Sequence, residues 1–175
     1  WTIDEPAVFI TFNGMAYDEE LVRRQFYWNL FESYLTNTNG NGRLDILLMM
    51  NNVAAFSPDV LNIPLFNGGP GVSLKQADIA EANGIEIGDA HDAIADCKLM
   101  ISLLEKINAK KPELIDFFLS ISTKPGIQAA VEQPGFLALG EVFRREIFKY
   151  PVVPCGSKAP NDLMFFDLSF EPEEI

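Results

Sequence analysis

The sequence predicts a mixed α/β fold rich in helix, and three stretches carry that expectation. Residues 7–12, Ala-Val-Phe-Ile-Thr-Phe, are β-branched and aromatic, follow Asp4-Glu5-Pro6 and run into Asn13-Gly14, so they read as a buried strand that stops at a turn. Residues 93–107 place Ala93, Ile94, Cys97, Met100, Ile101, Leu103, Leu104 and Ile107 on one broad face at helical spacing, with Lys98, Ser102, Glu105 and Lys106 opposite. Beyond Thr123 the pattern changes: Pro125, Pro134, Pro151, Pro154 and Pro160 punctuate short apolar runs, and Leu163-Met164-Phe165-Phe166-Asp167-Leu168 reads as a strand.

Taken in order, the first strand is followed by Asp18-Glu19-Glu20, negative charge suited to the first turn of a helix that is expected to reach about Tyr34. Asp18 then sits just beyond the C-terminal end of a strand, where open α/β sheets bind ligands. A plain helix cap is the competing role. The helix carries Phe26, Tyr27, Trp28, Leu30, Phe31 and Tyr34 on several sides, which predicts burial between a sheet and another layer. Asn37 to Gly42 is a loop, Leu44 to Ala55 a further apolar helix, and Ser57 to Val72 a long connection rich in Pro and Gly. Leu74 to Ala82 and Pro112 to Ile121 complete the helices, the latter opened by a proline in its first turn.

The helix after Ala90-His91-Asp92 is the stretch around which function is sought. His91 is the chain's one histidine, flanked by carboxylates. Asp96 falls inside the apolar arc, between the directions of Leu103 and Ile107, and a carboxylate there needs a metal, a cation or a wet cleft, or else it completes the first turn and favours the helix dipole. His91, read by itself, is better taken as a satisfied structural residue. Cys97 and Cys155 fit no metal spacing, and Cys97, on the inner face, is expected to be a reduced core thiol.

A chain of 175 residues that is 48% apolar has ample material for a core. No apolar run approaches the roughly 18 residues a membrane helix needs, and the N-terminus shows no charged-then-apolar signal, so a cytoplasmic location and no membrane partner are expected. The net charge of −12 argues against a surface that grips phosphate everywhere. An acidic total is still compatible with phosphate chemistry at a site whose carboxylates are neutralised by bound cations. Arg144, Arg145, Lys149 and Lys158 form the basic stretch, either a strand-binding side or a solvated face.

Ala90-His91-Asp92-Ala93-Ile94-Ala95-Asp96, with Ser73-Leu74 and Ala82-Asn83-Gly84-Ile85-Glu86 leading into it, resembles the third motif of the DEDDh 3′–5′ exonucleases, which have an RNase H-like fold. Phe12 to Glu20 is similar to the second motif of the bacterial branch that acts on single-stranded DNA, with Asn13 five residues before Asp18. Arg43-Leu44-Asp45-Ile46-Leu47 looks like that branch's Arg-x-Asp-Leu-Leu segment. The ordered matches span most of residues 8 to 121.

The resemblance implies a 3′–5′ exonuclease that hydrolyses single-stranded DNA to nucleoside monophosphates. It implies Mg²⁺ or Mn²⁺, two ions in the complete enzyme, held by Asp18 and Asp96 among others, with His91 as general base and Asn13, Tyr17 and Arg43 contacting substrate. It further implies an exonuclease part over residues 1–121, and over 122–175 a linker and the start of an SH3-like β domain. The family's Asp-x-Glu on its first strand has no counterpart. Asp18-Glu19-Glu20 fits the letters but follows a turn and already matches the second motif, and Asp4-Glu5 has the wrong spacing. The expectation is an N-terminally incomplete RNase H-like exonuclease, inactive alone, whose strand at residues 7–12 leaves an open edge that invites self-association. The alternative is a helical module that binds nucleic acid or a protein partner without catalysis.

Overall fold

A computed structural model describes residues 5–88, 92–159, 162–171 and 173, so His91 lies outside the described residues. Strand β1 (Val8–Thr11) pairs in parallel with β2 (Gly42–Asp45), Val8 opposite Gly42 and Thr11 opposite Asp45. Parallel neighbours need a crossover. Here it is α1 (Asp18–Trp28) followed by a single 3-10 turn at Leu35–Asn37. The Asn41 side chain ties the crossover to both strands, for its Oδ1 accepts from the Ala7 N–H at 2.9 Å and its Nδ2 donates to the Leu35 carbonyl at 2.7 Å.

β2 runs without a loop into α2 (Ile46–Phe56), the helix the molecule is packed around. Ile46, Met49, Met50, Val53, Ala54 and Ala55 are all buried, and a helix so apolar on every side is stable only when enclosed. Val60 and Leu61 from the following loop, Ile79 of α3 (Gln76–Ala82), Leu103 and Ile107 of α4 (Ala93–Lys110) and Phe118 of α5 (Pro112–Ser120) complete one core with it. After α6 (Lys124–Val131), strands β3 (Leu137–Phe143), β4 (Glu146–Ala159) and β5 (Asp162–Asp167) form an antiparallel sheet in sequential order.

That sheet docks on α2 through backbone and amide. Asn52 and Asn51 of α2 accept from the Gly140 and Val142 N–H groups at 3.0 and 3.1 Å. The β3–β4 hairpin closes through two residues, Arg144 and Arg145, at φ 50° and 72°. This turn favours Asn-Gly, and left-handed backbone costs a side-chain-bearing residue roughly 1–2 kcal/mol.

Several expectations are corrected. Leu44 begins no helix; residues 42–45 are a strand because β1 covers one side while the Arg43 N–H donates to the Ser122 carbonyl at 2.8 Å on the other. α1 stops at Trp28, and Leu30 turns the chain with φ 59°. Of the aromatics expected in a core only Phe26 is half-buried, and the others are surface residues, Tyr27 at 71% and Trp28 at 67% exposure, since no described element covers that side of α1. β1 is only half-buried, with Val8 and Ile10 exposed by more than a third. Burial along α4 begins at Leu99, so Ile94, Asp96 and Cys97 all lie in solvent and Asp96 needs no buried partner. Helix α6 was not expected, although Thr123 caps it, accepting from the Gly126 N–H at 3.2 Å, ahead of Pro125. Among the described residues no helix is long and apolar enough to cross a membrane.

The closeness of sheet and helix gives a test. A Cβ at Gly140 would lie 2.7 Å from the Ala55 Cβ and 2.9 Å from the Asn51 carbonyl oxygen. Gly140→Ala is expected to cost roughly 1–3 kcal/mol, the usual penalty of overpacking, read as a lower urea midpoint at unchanged slope.

Candidate active site

The turn between β1 and α1 is held by a carboxylate 32 residues further along the chain. Asp45 ends β2 and caps α2, its Oδ1 accepting from the Leu47 N–H at 3.0 Å. The same Oδ1 accepts from the Asn13 N–H at 2.7 Å, and Oδ2 accepts from the Met15 N–H at 3.1 Å. Asn13 takes φ 60°, a left-handed conformation asparagine tolerates better than most residues. Gly14 is compulsory, since a Cβ there would overlap the Thr11 side chain at 2.5 Å. Its carbonyl accepts from the Tyr17 and Glu19 N–H groups at 3.2 and 3.0 Å, which starts α1.

Asp18 is therefore the first residue of a helix whose origin is fixed by Thr11, Gly14 and Asp45. Its carboxylate is exposed, as are Tyr17, at 65%, and Asn13. Glu19, next to it, turns inward and is buried, where Arg43 of β2 forms an ion pair with it. Arg43 is thus committed to the underside of the turn, though a guanidinium with five donors and 27% side-chain exposure keeps some of them outward. Glu20 faces Arg24 and Arg23; the hydrogen bond from Arg24, with both positive charges beside it, lowers its carboxyl from the ordinary value. Such a group adds stability above the unfolded carboxyl's range and loses it as pH falls through the lowered one.

The second carboxylate, Asp96, lies in the first turn of α4 and is exposed. Asp92 caps this helix, accepting from the Ile94 N–H at 3.2 Å, and the Gln76 side chain of α3 donates to the Asp96 carbonyl at 2.7 Å, pinning the turn. Neither Asp18 nor Asp96 takes part in the ion pairs found among the described residues. An open cleft of about 410 Å³ runs along α4 between Glu86, Ile87 and Gly88 on one wall and Asp92, Ala95 and Lys98 on the other. Asp18 and Asp96 do not line it. Among the described residues no three His, Cys, Asp or Glu side chains gather as a metal cluster. Sequence reading missed Glu19 and Asp45 as the residues that build the turn. Asp45 was accessible to it, as an aspartate directly before an apolar helical run.

No protein-family model matches the chain. Exodeoxyribonuclease I of Buchnera aphidicola subsp. Baizongia pistaciae is 34% identical over 124 residues, which are 70% of this chain and 26% of that protein. Exonuclease I of Escherichia coli in complex with a dA16 oligonucleotide superposes with a TM-score of 0.76 at 26% identity, over 95% of this chain and 37% of that one. The zinc-bound form of the E. coli exonuclease I complex with single-stranded DNA gives 0.75 at 25% identity, over 94% and 36%. Turn, motifs and fold together make the chain a relative of the DEDDh-type exonucleases. The curated relatives it matches include exodeoxyribonuclease I of several bacteria, and the chain spans about a quarter of their length.

The turn supports a test of its own. Arg43→Ala leaves the buried Glu19 carboxylate unpaired and is expected to destabilise the fold by on the order of 2–3 kcal/mol, whereas Glu19→Gln with Arg43 intact costs less, because an amide is cheaper to bury than a lone charge. Thermal unfolding of the two variants checks the order.

Proposed function

We propose that the protein to which this chain belongs is a metal-dependent 3′–5′ exonuclease that hydrolyses single-stranded DNA to nucleoside monophosphates. The observation that carries the reading is the place of Asp18. It is an exposed carboxylate that joins none of the ion pairs found among the described residues, at the start of α1 one turn beyond the end of β1, on a turn built by Thr11, Gly14 and Asp45, in a chain similar to exonuclease I in sequence and fold. Asp18 and Asp96 are read as metal ligands. Their hard oxygen donors suit Mg²⁺ or Mn²⁺, yet two carboxylates hold such an ion loosely, and the described residues offer no third donor beside them. A pair of divalent cations bound in the complete site supplies Lewis acidity and offsets the charge that develops on the phosphodiester.

The chain's own residues do the rest in this reading. His91 precedes α4 and takes the proton of the attacking water, a general-base task for which an imidazole is suited. Asn13 and Tyr17, exposed on the turn, contact the strand, and Arg43 does so from the far side of its bond to Glu19. The sheet β3–β5 is read as the beginning of an SH3-like domain, and the cytoplasm as the location. The outer edge of β1, which among the described residues pairs only with β2, is read as a place of self-association.

Assayed with Mg²⁺ in the intact protein, Asp18→Asn and Asp96→Asn are each expected to abolish hydrolysis of oligothymidylate at unchanged melting temperature. His91→Ala is expected to lower turnover by roughly 10²–10⁴-fold with a much smaller change in oligonucleotide affinity. Full activity in the Asp96 variant, or equal losses of turnover and affinity in the His91 variant, would remove these roles. The 175-residue chain alone is expected to take up Mn²⁺ weakly in a calorimetric titration, and a tight isotherm would mean that it completes a site by itself or with a second copy.

A further inference from the structure

Five asparagines in this chain stand directly before a glycine: Asn13, Asn39, Asn41, Asn67 and Asn83. That dipeptide carries a chemistry of its own. Once its proton is lost to solvent, the glycine amide nitrogen can attack the asparagine Cγ, because a glycine has no Cβ to obstruct the approach. A C–N bond forms and closes a five-membered succinimide, while the side-chain nitrogen takes up a proton and leaves as ammonia. Water then opens the ring at either carbonyl and leaves aspartate or isoaspartate, so water is the only co-reactant. The attack needs an asparagine side chain free to turn and a backbone free to rotate beside it.

The fold withholds one or both of these freedoms at four of the five pairs. Asn41 is buried with both ends of its amide bonded, to the Ala7 N–H and the Leu35 carbonyl, and the Gly42 N–H donates to the Ala7 carbonyl at 2.9 Å. The Asn83 Oδ1 accepts from the Asn62 N–H at 2.9 Å, and its Nδ2 donates to the Asn62 and Ile79 carbonyls at 2.8 and 2.7 Å. The Gly84 N–H is taken as well, by the Glu81 carbonyl at 3.0 Å. At Asn13 it is the backbone that is fixed, since Asp45 holds the amides on either side of a buried Gly14.

Asn39 and Asn67 make the informative comparison. Both begin a turn of the type that selects Asn-Gly, with φ 57° and 82° at Asn39-Gly40 and 48° and 68° at Asn67-Gly68, and all four residues are exposed. The Asn39 Nδ2 is tethered to Glu32 Oε2 at 3.2 Å. Among the described residues no hydrogen bond engages the Asn67 side chain or the Gly68 N–H, and a Cβ built on Gly68 would meet nothing within 4 Å. One bond spans this second turn, from the Gly69 N–H to the Phe66 carbonyl at 2.9 Å.

We infer that Asn67-Gly68 is a site of spontaneous covalent modification, where the folded protein converts an amide to aspartate or isoaspartate while its other Asn-Gly pairs are protected. The new carboxylate arises one residue from Phe66, whose ring carries the Arg145 guanidinium at 3.4 Å and the Lys75 ammonium at 6.0 Å. A neutral turn thereby gains a negative charge close to two cations. The chemistry is independent of the exonuclease reading.

To test it, the intact protein is held at mildly alkaline pH well below its melting temperature and then digested. Its peptides are followed for the mass difference between an amide and an acid. Asn67 is expected to convert several-fold faster than Asn39, with Asn13, Asn41 and Asn83 slower still, and its rate is expected to climb with pH as the amide proton is lost more readily. In concentrated urea the five rates draw together, since the fold is what separates them. Glu32→Ala frees the Asn39 amide and is expected to raise its rate towards that of Asn67, with the other sites unmoved. An Asn67 that converts no faster than Asn41 or Asn83 in the folded protein overturns the inference. A ranking that urea leaves unchanged does so too, because local sequence and not the fold would then set the rates.

Discussion

One carboxylate, that of Asp45, joins the parts of this chain that matter for its chemistry. It is buried, and its two oxygens take hydrogen bonds from three backbone amides, those of Asn13, Met15 and Leu47. Hydrogen bonds to a charged group contribute about 1.5–3 kcal/mol each, which makes this one of the stronger local interactions open to so small a fold. The negative charge also sits at the positive end of α2, where the helix dipole favours it. The end of β1, the start of α1 and the start of α2 therefore share a single anchor. The Asp18 carboxylate inherits its position from that anchor, and α2 in turn carries both the apolar core and, through Asn51 and Asn52, the sheet.

Much of this was legible in the amino-acid order, and the parts that were not have physical reasons. The strand at residues 8–11, the helices at 76–82, 93–110 and 112–120 and the final strand follow from local pattern, through β-branched runs, helical spacing and a proline at a first turn. β2 was missed because its four residues are shaped by partners distant in sequence, Ala7 and Ser122, that no local window contains. The aromatic run of α1 misled for the opposite reason. Periodicity reports which faces are apolar but not what covers them, and among the described residues Tyr27, Trp28, Leu30 and Phe31 meet water. Asp96 shows the same limit, since its place within an apolar arc left a metal, a cation, a wet cleft and a plain first-turn role all open, and that arc becomes buried only from Leu99 onward.

The candidate site was legible as a set of words more than as a geometry. Asn13, Gly14 and Asp18 are local to one turn, and their spacing survives in the fold as a left-handed residue, a close approach and a helix start. Arg43 reads as a substrate contact in sequence only through the resemblance of Arg43-Leu44-Asp45-Ile46-Leu47 to the family's segment. Its partner Glu19, 24 residues away, becomes visible only in three dimensions. The charge distribution teaches the same lesson, for a total of −12 conceals a hairpin tip where arginines collect.

The uncovered flank of α1 has an optical consequence. Trp28 carries an indole two-thirds open to water, next to the equally open Tyr27. Its emission in the folded chain is that of a hydrated indole, so unfolding by urea changes its colour little and serves poorly as a folding signal. A blue shift from this residue, one of the chain's two tryptophans, instead reports that something apolar has come to rest on α1, which makes its indole a local detector for whatever surface closes over that helix.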